Sequence, residues 1–178
     1  MMNFIIRTYL KNPCKIIKNL NIPHNELSEF FINIDDTAEI KKITKYIDKD
    51  YIDGYIFMQY KNEVILDFQL YDLIDQLWSY IIDLVKTYLV TGYASCYFPD
   101  QPILLELINI TNNSNLIELH VDDKKFIFPQ KKFLHALLVG AKHFFLRIKE
   151  LAFIDNEEYI DRQNLITTLQ NSINKTVD

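Results

Sequence analysis

The sequence predicts an α+β fold, in which an antiparallel sheet of about five to seven strands is flanked by about four helices. Four short β-prone segments follow one another between residues 94 and 128, and the connections between them are too short for parallel crossovers. On both sides of these segments, apolar residues recur at helical spacing. Because 49% of the 178 residues are hydrophobic, one large core is expected, and residues 1–178 are predicted to form a single globular domain.

The N-terminal part of the chain combines short strands with short helices. Residues 2–8 are β-prone, Pro13 favours a helical turn after them, and a second short helical segment is predicted over residues 25–31. Asp36 and Glu39 have the spacing of a capping box, in which the first side chain caps a helix and the second bonds back to the cap. A helix is therefore predicted to begin here, with an apolar face formed by Ile40, Ile43 and Ile47.

Residues 51–70 predict a β-hairpin. Lys61 and Asn62 form the predicted two-residue turn, which follows a strand ending at Tyr60. Residues 63–70 alternate between polar and apolar side chains, as in a strand that is buried on one face. The predicted buried face consists of Val64, Leu66, Phe68 and Leu70.

A long amphipathic helix is predicted over residues 71–90. Its apolar face holds the only tryptophan, Trp78, which we expect to anchor the core. The opposite face has an acidic stripe of residues spaced three or four apart, which we define as Asp72, Asp75, Ser79 and Asp83. Two interpretations are open. The stripe receives a basic partner surface, or it is a solvated face whose first acids favour the positive end of the helix dipole.

The rest of the chain is predicted to form the antiparallel meander and two more helices. The predicted strands are residues 94–98, 103–110, 115–121 and 124–128, with turns at residues 111–115 and 122–123. A helix over residues 131–150 follows, with apolar residues at helical spacing. A second capping box, from Asp155 to Glu158, predicts the start of the last helix, and the tail from Lys175 is expected to fray.

The segment Tyr97–Pro102 predicts a stiff corner. Pro99 and Pro102 restrict two φ angles and disfavour helix in the residues before them, so the corner orients Asp100 and Gln101. In one interpretation, it presents these two side chains to a ligand or partner. In the other, it is a turn between strands in which Asp100 bonds to its own backbone.

Composition and spacing exclude several kinds of site. Glycine occurs three times, at positions too far apart for a phosphate-binding loop. The two cysteines are isolated and the four histidines lack the pair spacing of a helical metal site, so neither a metal nor a cofactor is predicted. No serine or cysteine lies in a glycine-flanked nucleophile elbow, so no catalytic residue is assigned.

Charge and hydropathy indicate the kind of partner. The net charge of −5 and the pI of about 5.4 favour a basic partner, or no charged partner, over direct binding of nucleic acid. Acidity of this size is also ordinary for a soluble protein. The first apolar run is too short for a signal peptide, and no stretch is long enough to cross a bilayer. With both thiols reduced, we expect a cytoplasmic protein that binds no membrane.

Two other function classes remain open. An enzyme with a scattered polar site would use acids such as Asp67, Asp72 and Glu106, in one version to hold a metal. Restriction-type nucleases place a Pro-Asp pair before Glu-x-Lys, but the strands after Pro99-Asp100 lack the lysine that this chemistry needs. The third class is a structural subunit of a larger assembly.

The pattern Asp72-x-x-Asp75-x-Leu77-Trp78-x-Tyr80, followed by Tyr97–Pro102, resembles the immunity proteins of bacterial toxin systems, including contact-dependent inhibition. This resemblance implies a single-domain cytoplasmic protein, without enzymatic activity, that binds one cognate toxin domain and blocks its active site. Toxin nucleases are commonly basic, which would suit the acidic balance of this chain. The stripe and the corner supply the predicted partner-binding residues, which are Asp72, Asp75, Ser79, Asp83, Asp100 and Gln101.

Overall fold

The computed structural model describes residues 4–111, 113 and 115–175, and it confirms the α+β class. The strands are β1 Phe4–Lys11, β2 Phe31–Asn33, β3 Asp53–Tyr60, β4 Glu63–Leu66, β5 Asp72–Leu73, β6 Tyr93–Tyr97, β7 Leu104–Asn109, β8 Leu116–Val121 and β9 Lys124–Pro129. The helices are α1 Leu27–Phe30, α2 Thr37–Ile43, α3 Ile74–Thr91, α4 Gln130–Glu150 and α5 Asn156–Lys175. Short 3₁₀ turns lie at Thr44–Tyr46 and Phe68–Leu70.

The described strands are divided between two antiparallel sheets rather than joined in one. The first sheet has the order β2-β1-β3-β4, with β5 also paired to β3. The second sheet is the predicted meander, in the order β6-β7-β8-β9. Helix α3 connects the sheets, because it carries the chain from β5 to the edge strand β6.

The main core lies between the sheets and the long helices. Helix α3 packs against β6 and β7, α4 contacts β1, β9 and α3, and α5 packs against α3 and α4. Trp78 is fully buried, as predicted, and its indole N–H donates to Thr8 Oγ1 over 3.1 Å. A Cβ atom placed on Gly140 would lie 2.7 Å from Trp78 Cη2, so the absence of a side chain there lets α4 approach α3 closely.

A second, smaller core covers the outer side of the first sheet. Phe31, Tyr55 and Phe68 are buried there. Tyr9 stacks on Tyr55 with ring centroids 4.7 Å apart. The segment of residues 12–26 lies nearby as turns and irregular chain, so the helical turn predicted after Pro13 is wrong.

The predicted N-terminal caps are confirmed at two helices. Asp36 accepts a hydrogen bond from the Glu39 N–H at 3.1 Å, and Asp155 accepts one from the Glu158 N–H at 2.8 Å. The short helix predicted over residues 25–31 is present as α1, but β2 after it was not predicted.

The predicted hairpin is confirmed, but the predicted buried face of its second strand is right only in part, since Leu66 is buried and Val64 is not. Lys61 adopts φ 56° in the turn. A register shift between Met58 and Gln59 changes which side chains of β4 face the core. Val64 is therefore 47% exposed, whereas Ile65 is buried.

Some positions of the predicted elements lie outside the described residues. These positions are residues 2 and 3 of the strand predicted over residues 2–8, Asn112 and Ser114 of the turn over residues 111–115, and the tail residues 176–178. Within the described ranges, none of the helices combines the length and apolar character that a membrane crossing requires.

Candidate functional site

The predicted acidic stripe does not form an exposed surface. Asp72 lies in β5, two residues before the helix begins, and is 3% exposed. Its neighbour across the ladder is Gly54 of β3, so sheet pairing replaces the predicted first helical turn. The predicted position of Asp72 on an exposed helix face is therefore wrong.

Asp72 instead holds the proline corner in place. Its carboxylate accepts hydrogen bonds from the Leu73 N–H at 2.6 Å, the Asp100 N–H at 3.0 Å and the Gln101 N–H at 3.1 Å. Burial raises the pKa of the Asp72 carboxyl, and the three backbone hydrogen bonds act in the opposite direction. The corner is thus an internal clasp, in which Asp72 rather than Asp100 satisfies the turn backbone.

The two corner side chains have different environments. Gln101 turns inward and donates a hydrogen bond from its side-chain amide to the Tyr71 carbonyl oxygen. The side-chain amide of Gln101 is therefore engaged within the protein, and its presentation to a partner stays a prediction. Asp100 is exposed, and the turn connects β6 to β7 through a 2.9 Å bond from the Phe98 N–H to the Ile103 carbonyl oxygen.

The remaining stripe residues lie along α3 without forming one acidic surface. Asp75 is partly buried, and its Oδ1 atom is buried without a hydrogen-bond partner among the described residues. Burial raises the pKa of this carboxyl, and the Glu158 charge adds to the effect. Ser79 donates its hydroxyl to the Asp75 carbonyl oxygen, which leaves Asp83 as the exposed member.

The outer face of the second sheet combines exposed aromatic, apolar and charged side chains. The inner face of the same strands belongs to the core, because successive side chains of a strand point to opposite sides. We define this outer face as Tyr93, Ser95, Tyr97, Leu104, Glu106, Ile108, Leu116, Glu118, His120, Lys125 and Ile127. Tyr93 is 48%, Tyr97 61% and Ile127 57% exposed.

A hydrogen-bonded cluster lies at the centre of this outer face. The Tyr93 hydroxyl donates to Glu106 Oε1 over 2.7 Å, and Glu106 Oε2 lies 3.1 Å from His120 Nδ1. The other ring nitrogen, His120 Nε2, contacts Glu118 Oε1. Lys125 Nζ is 3.8 Å from the same Glu118 oxygen.

The cluster combines two carboxylates with one imidazole. Since a neutral imidazole has one N–H, only the protonated ring donates to both carboxylates at once. The Tyr93 hydroxyl bond, assisted by the His120 bond, holds the pKa of Glu106 below its ordinary value. His120 is 8% exposed because the two glutamates cover it on an otherwise open face.

The cluster is not arranged as a metal site. Its carboxylates bond to opposite ring nitrogens of His120, so the three side chains do not converge on one point. No group of three possible ligands that could hold a metal occurs in residues 4–111, 113 and 115–175. The acids of the enzymatic alternative are also separate, because Asp67 caps a 3₁₀ turn, Asp72 holds the corner and Glu106 bonds to Tyr93.

The cysteines offer no activated nucleophile in the described chain. Burial, with a contribution from Asp83, raises the pKa of the Cys96 thiol to about 11. The thiolate, which is the reactive form, is therefore suppressed at neutral pH. Cys14 is exposed, and both cysteines are free.

Cavities lie away from the outer face. One of about 570 Å³ lies where α3 ends and α4 begins, lined in part by Tyr88, Asn109 and Gln130. Another of about 620 Å³ lies beside the small core and includes Tyr9, His24 and Tyr55. Neither of these two cavities includes a residue of the Tyr93–Glu106–His120–Glu118 cluster.

Sequence reasoning found part of this surface. Glu118 and His120 lie two residues apart in the segment predicted as a strand over residues 115–121, and they share one face of β8. Sequence reasoning did not predict that Glu106 and Tyr93 join them, since that depends on the pairing of β6, β7 and β8.

Comparison with known proteins gives no match. No protein-family model, no curated protein and no solved structure is significantly similar to this chain.

Proposed function

We propose that this protein is a non-enzymatic protein-binding domain that docks a basic partner on the outer face of its second sheet. The observation that carries the proposal is the combination of Tyr93, Tyr97 and Ile127, all exposed, with two glutamates at the centre. Tyrosine is enriched in protein interfaces and among the residues that contribute most of the binding energy.

The charge of the second sheet together with its connecting turns supports a basic partner. Between residues 93 and 129 the sequence holds five acidic side chains and two lysines, an excess of three negative charges. Charge complementarity of this kind mainly accelerates association and selects the partner. The acids concerned are Asp100, Glu106, Glu118, Asp122 and Asp123.

We propose further that the partner is a toxin domain and that the protein acts as a bacterial immunity protein, by occluding the toxin active site. This step rests on the resemblance of residues 72–102 and on the acidic balance of the chain. This docking surface differs from the stripe and the corner predicted from the sequence, because the side chains of Asp72 and Gln101 form hydrogen bonds within the protein.

Co-expression with the toxin domain encoded by the adjacent upstream gene tests this function. Cells producing the toxin domain should survive with the wild-type protein, and survival should fall at least about tenfold with the double variant Tyr93→Ala/Tyr97→Ala. The matched control is Tyr46→Ala, since Tyr46 is 55% exposed but lies outside the second sheet.

Two outcomes would contradict the proposal. One is an adjacent gene that encodes no toxin-like domain. The other is full rescue by the double variant, with Trp78 fluorescence showing that it is folded.

A further inference from the structure

A mainly apolar row crosses all four strands of the second sheet on its outer face. The strand register pairs Tyr93 with Ile108, Ile108 with Glu118, and Glu118 with Ile127. Side chains of directly opposite residues on neighbouring strands lie in contact range. Glu118 is therefore the one carboxylate in this row, and an isoleucine stands on each side of it.

The Glu118 side chain is held in place before any partner arrives. Its Oε1 atom contacts His120 Nε2, and His120 is itself held by Glu106 on β7. The second oxygen, Oε2, accepts no hydrogen bond from the described residues, and it is not among their buried unsatisfied atoms. The side chain as a whole is 24% exposed. A carboxylate that is already ordered and retains a free acceptor loses little side-chain entropy on binding.

The surroundings of Glu118 suit arginine better than lysine. A guanidinium is planar, is more weakly hydrated than an ammonium group, and packs its faces against apolar and aromatic side chains. Ile108 and Ile127 provide apolar walls, and Tyr93 continues the row beyond Ile108.

Lys125 lies near Glu118 but does not block an arginine side chain from reaching it. Lys125 lies 3.8 Å from Oε1, and its side chain is 65% exposed. Exposed ion pairs of this kind contribute little, so Lys125 would yield to a better-placed cation.

We propose that Glu118 is the anchor for a single arginine side chain of the basic partner, with the guanidinium donating to Oε2 between the two isoleucines. This inference rests on the proposed function for its partner, and it adds the chemical group that the outer face recognises. The Glu106–His120 pair acts here as the support that orients Glu118.

The test uses the full chain and N-acetyl-L-arginine amide as the probe, followed by NMR chemical shifts. Titration should shift the amides of β7, β8 and β9 around Glu118, with millimolar affinity. N-acetyl-L-lysine amide should bind at least about fivefold more weakly, since it lacks the planar donor group. Glu118→Gln should abolish the arginine shifts. Glu63→Gln should leave them unchanged, because Glu63 is an exposed acid at the start of β4.

A second variant keeps the test decisive if Glu118→Gln disturbs the sheet. Ile127→Ala removes one apolar wall without touching the hydrogen bonds, and it should weaken arginine binding several-fold. Equal binding of the two probes, shifts centred on Asp122 and Asp123, or shifts that survive Glu118→Gln would overturn the inference.

The arginine-anchor inference and the proposed toxin-binding function can fail independently of each other. Arginine-specific shifts at Glu118 without toxin rescue would overturn the toxin proposal and leave the anchor in place. Rescue that depends on Tyr93 and Tyr97 but persists in Glu118→Gln would overturn the anchor alone.

Discussion

Replacing Asp72 by alanine should lower the free energy of unfolding by about 2–3 kcal/mol, because it releases the proline corner. The carboxylate is 3% exposed and accepts hydrogen bonds from the Asp100 and Gln101 N–H groups at 3.0 and 3.1 Å. Each backbone donor left without a partner costs about 1–3 kcal/mol when buried. The corner is only partly buried, so water would recover part of this loss.

Burial of the Asp72 charge also limits the expected loss. Desolvation raises the pKa of Asp72, which means that the ionised group is held at some cost. Removing it therefore regains part of the free energy that the lost hydrogen bonds contributed. For this reason we place the expected loss at about 2–3 kcal/mol, below the sum for three charge-assisted bonds.

Urea unfolding followed by the fluorescence of Trp78 measures the effect, because this single tryptophan is fully buried. Asp100→Ala is the matched control. The Asp100 side chain is exposed, and alanine keeps the backbone N–H that Asp72 binds. Asp100→Ala should change stability by less than about 0.5 kcal/mol. The reasoning is refuted if Asp72→Ala loses no more than the control, or if Asp100→Ala is equally damaging.

Three further predictions concern packing, ionisation and reactivity. Gly140→Ala should lower the melting temperature, with a loss of about 1–2 kcal/mol, because the new methyl group would lie 2.7 Å from Trp78 Cη2; an unchanged melting temperature would show that α4 moves freely. Asp75→Asn should raise the urea midpoint at pH 7. Folding raises the pKa of Asp75, so its contribution to stability is present below the unfolded pKa and is lost as pH rises through the folded pKa. The gain should therefore vanish below about pH 4, and a gain that persists there would contradict the assignment. At pH 8 a thiol reagent should modify the exposed Cys14 rapidly and Cys96 only after unfolding; equal rates would contradict the raised pKa of Cys96.

Much of the secondary structure could be predicted because its signals are local. The helix predicted over residues 131–150 appears as α4, and its apolar residues face the core, because helical spacing is set within a few turns. Asp36 and Asp155 cap their helices through N–H groups three residues ahead, which is also a local geometry. The four strands of the meander followed from short connections between β-prone segments.

The predicted position of Asp72 is wrong because pairing between distant segments overrode local periodicity. Residues 72 and 73 fit the helical pattern, but they pair with residues 53 and 54 and become a strand. The pairing buries Asp72 and removes it from the stripe. The periodicity of residues 71–90 carries no information about where β3 lies. The prediction of a helix could therefore not anticipate that residues 72 and 73 pair with β3.

The outer face of the second sheet was also predictable only in its local contacts. Glu118 and His120 were recognisable as neighbours on one strand, because alternate residues share a face. The addition of Glu106 depends on the pairing of residue 106 with residue 120, and this register exists only in the assembled sheet.

By itself, the sequence determined the α+β class, the antiparallel meander, the burial of Trp78 and the acidic character of the chain, because these follow from composition and short-range periodicity. Only the tertiary structure decided that there are two sheets, that Asp72 is an internal clasp, and that Glu118 stands ordered between apolar neighbours. The physical reason is that strand pairing joins residues far apart in the chain. Such contacts decide which polar side chains are used within the fold and which remain available to a partner.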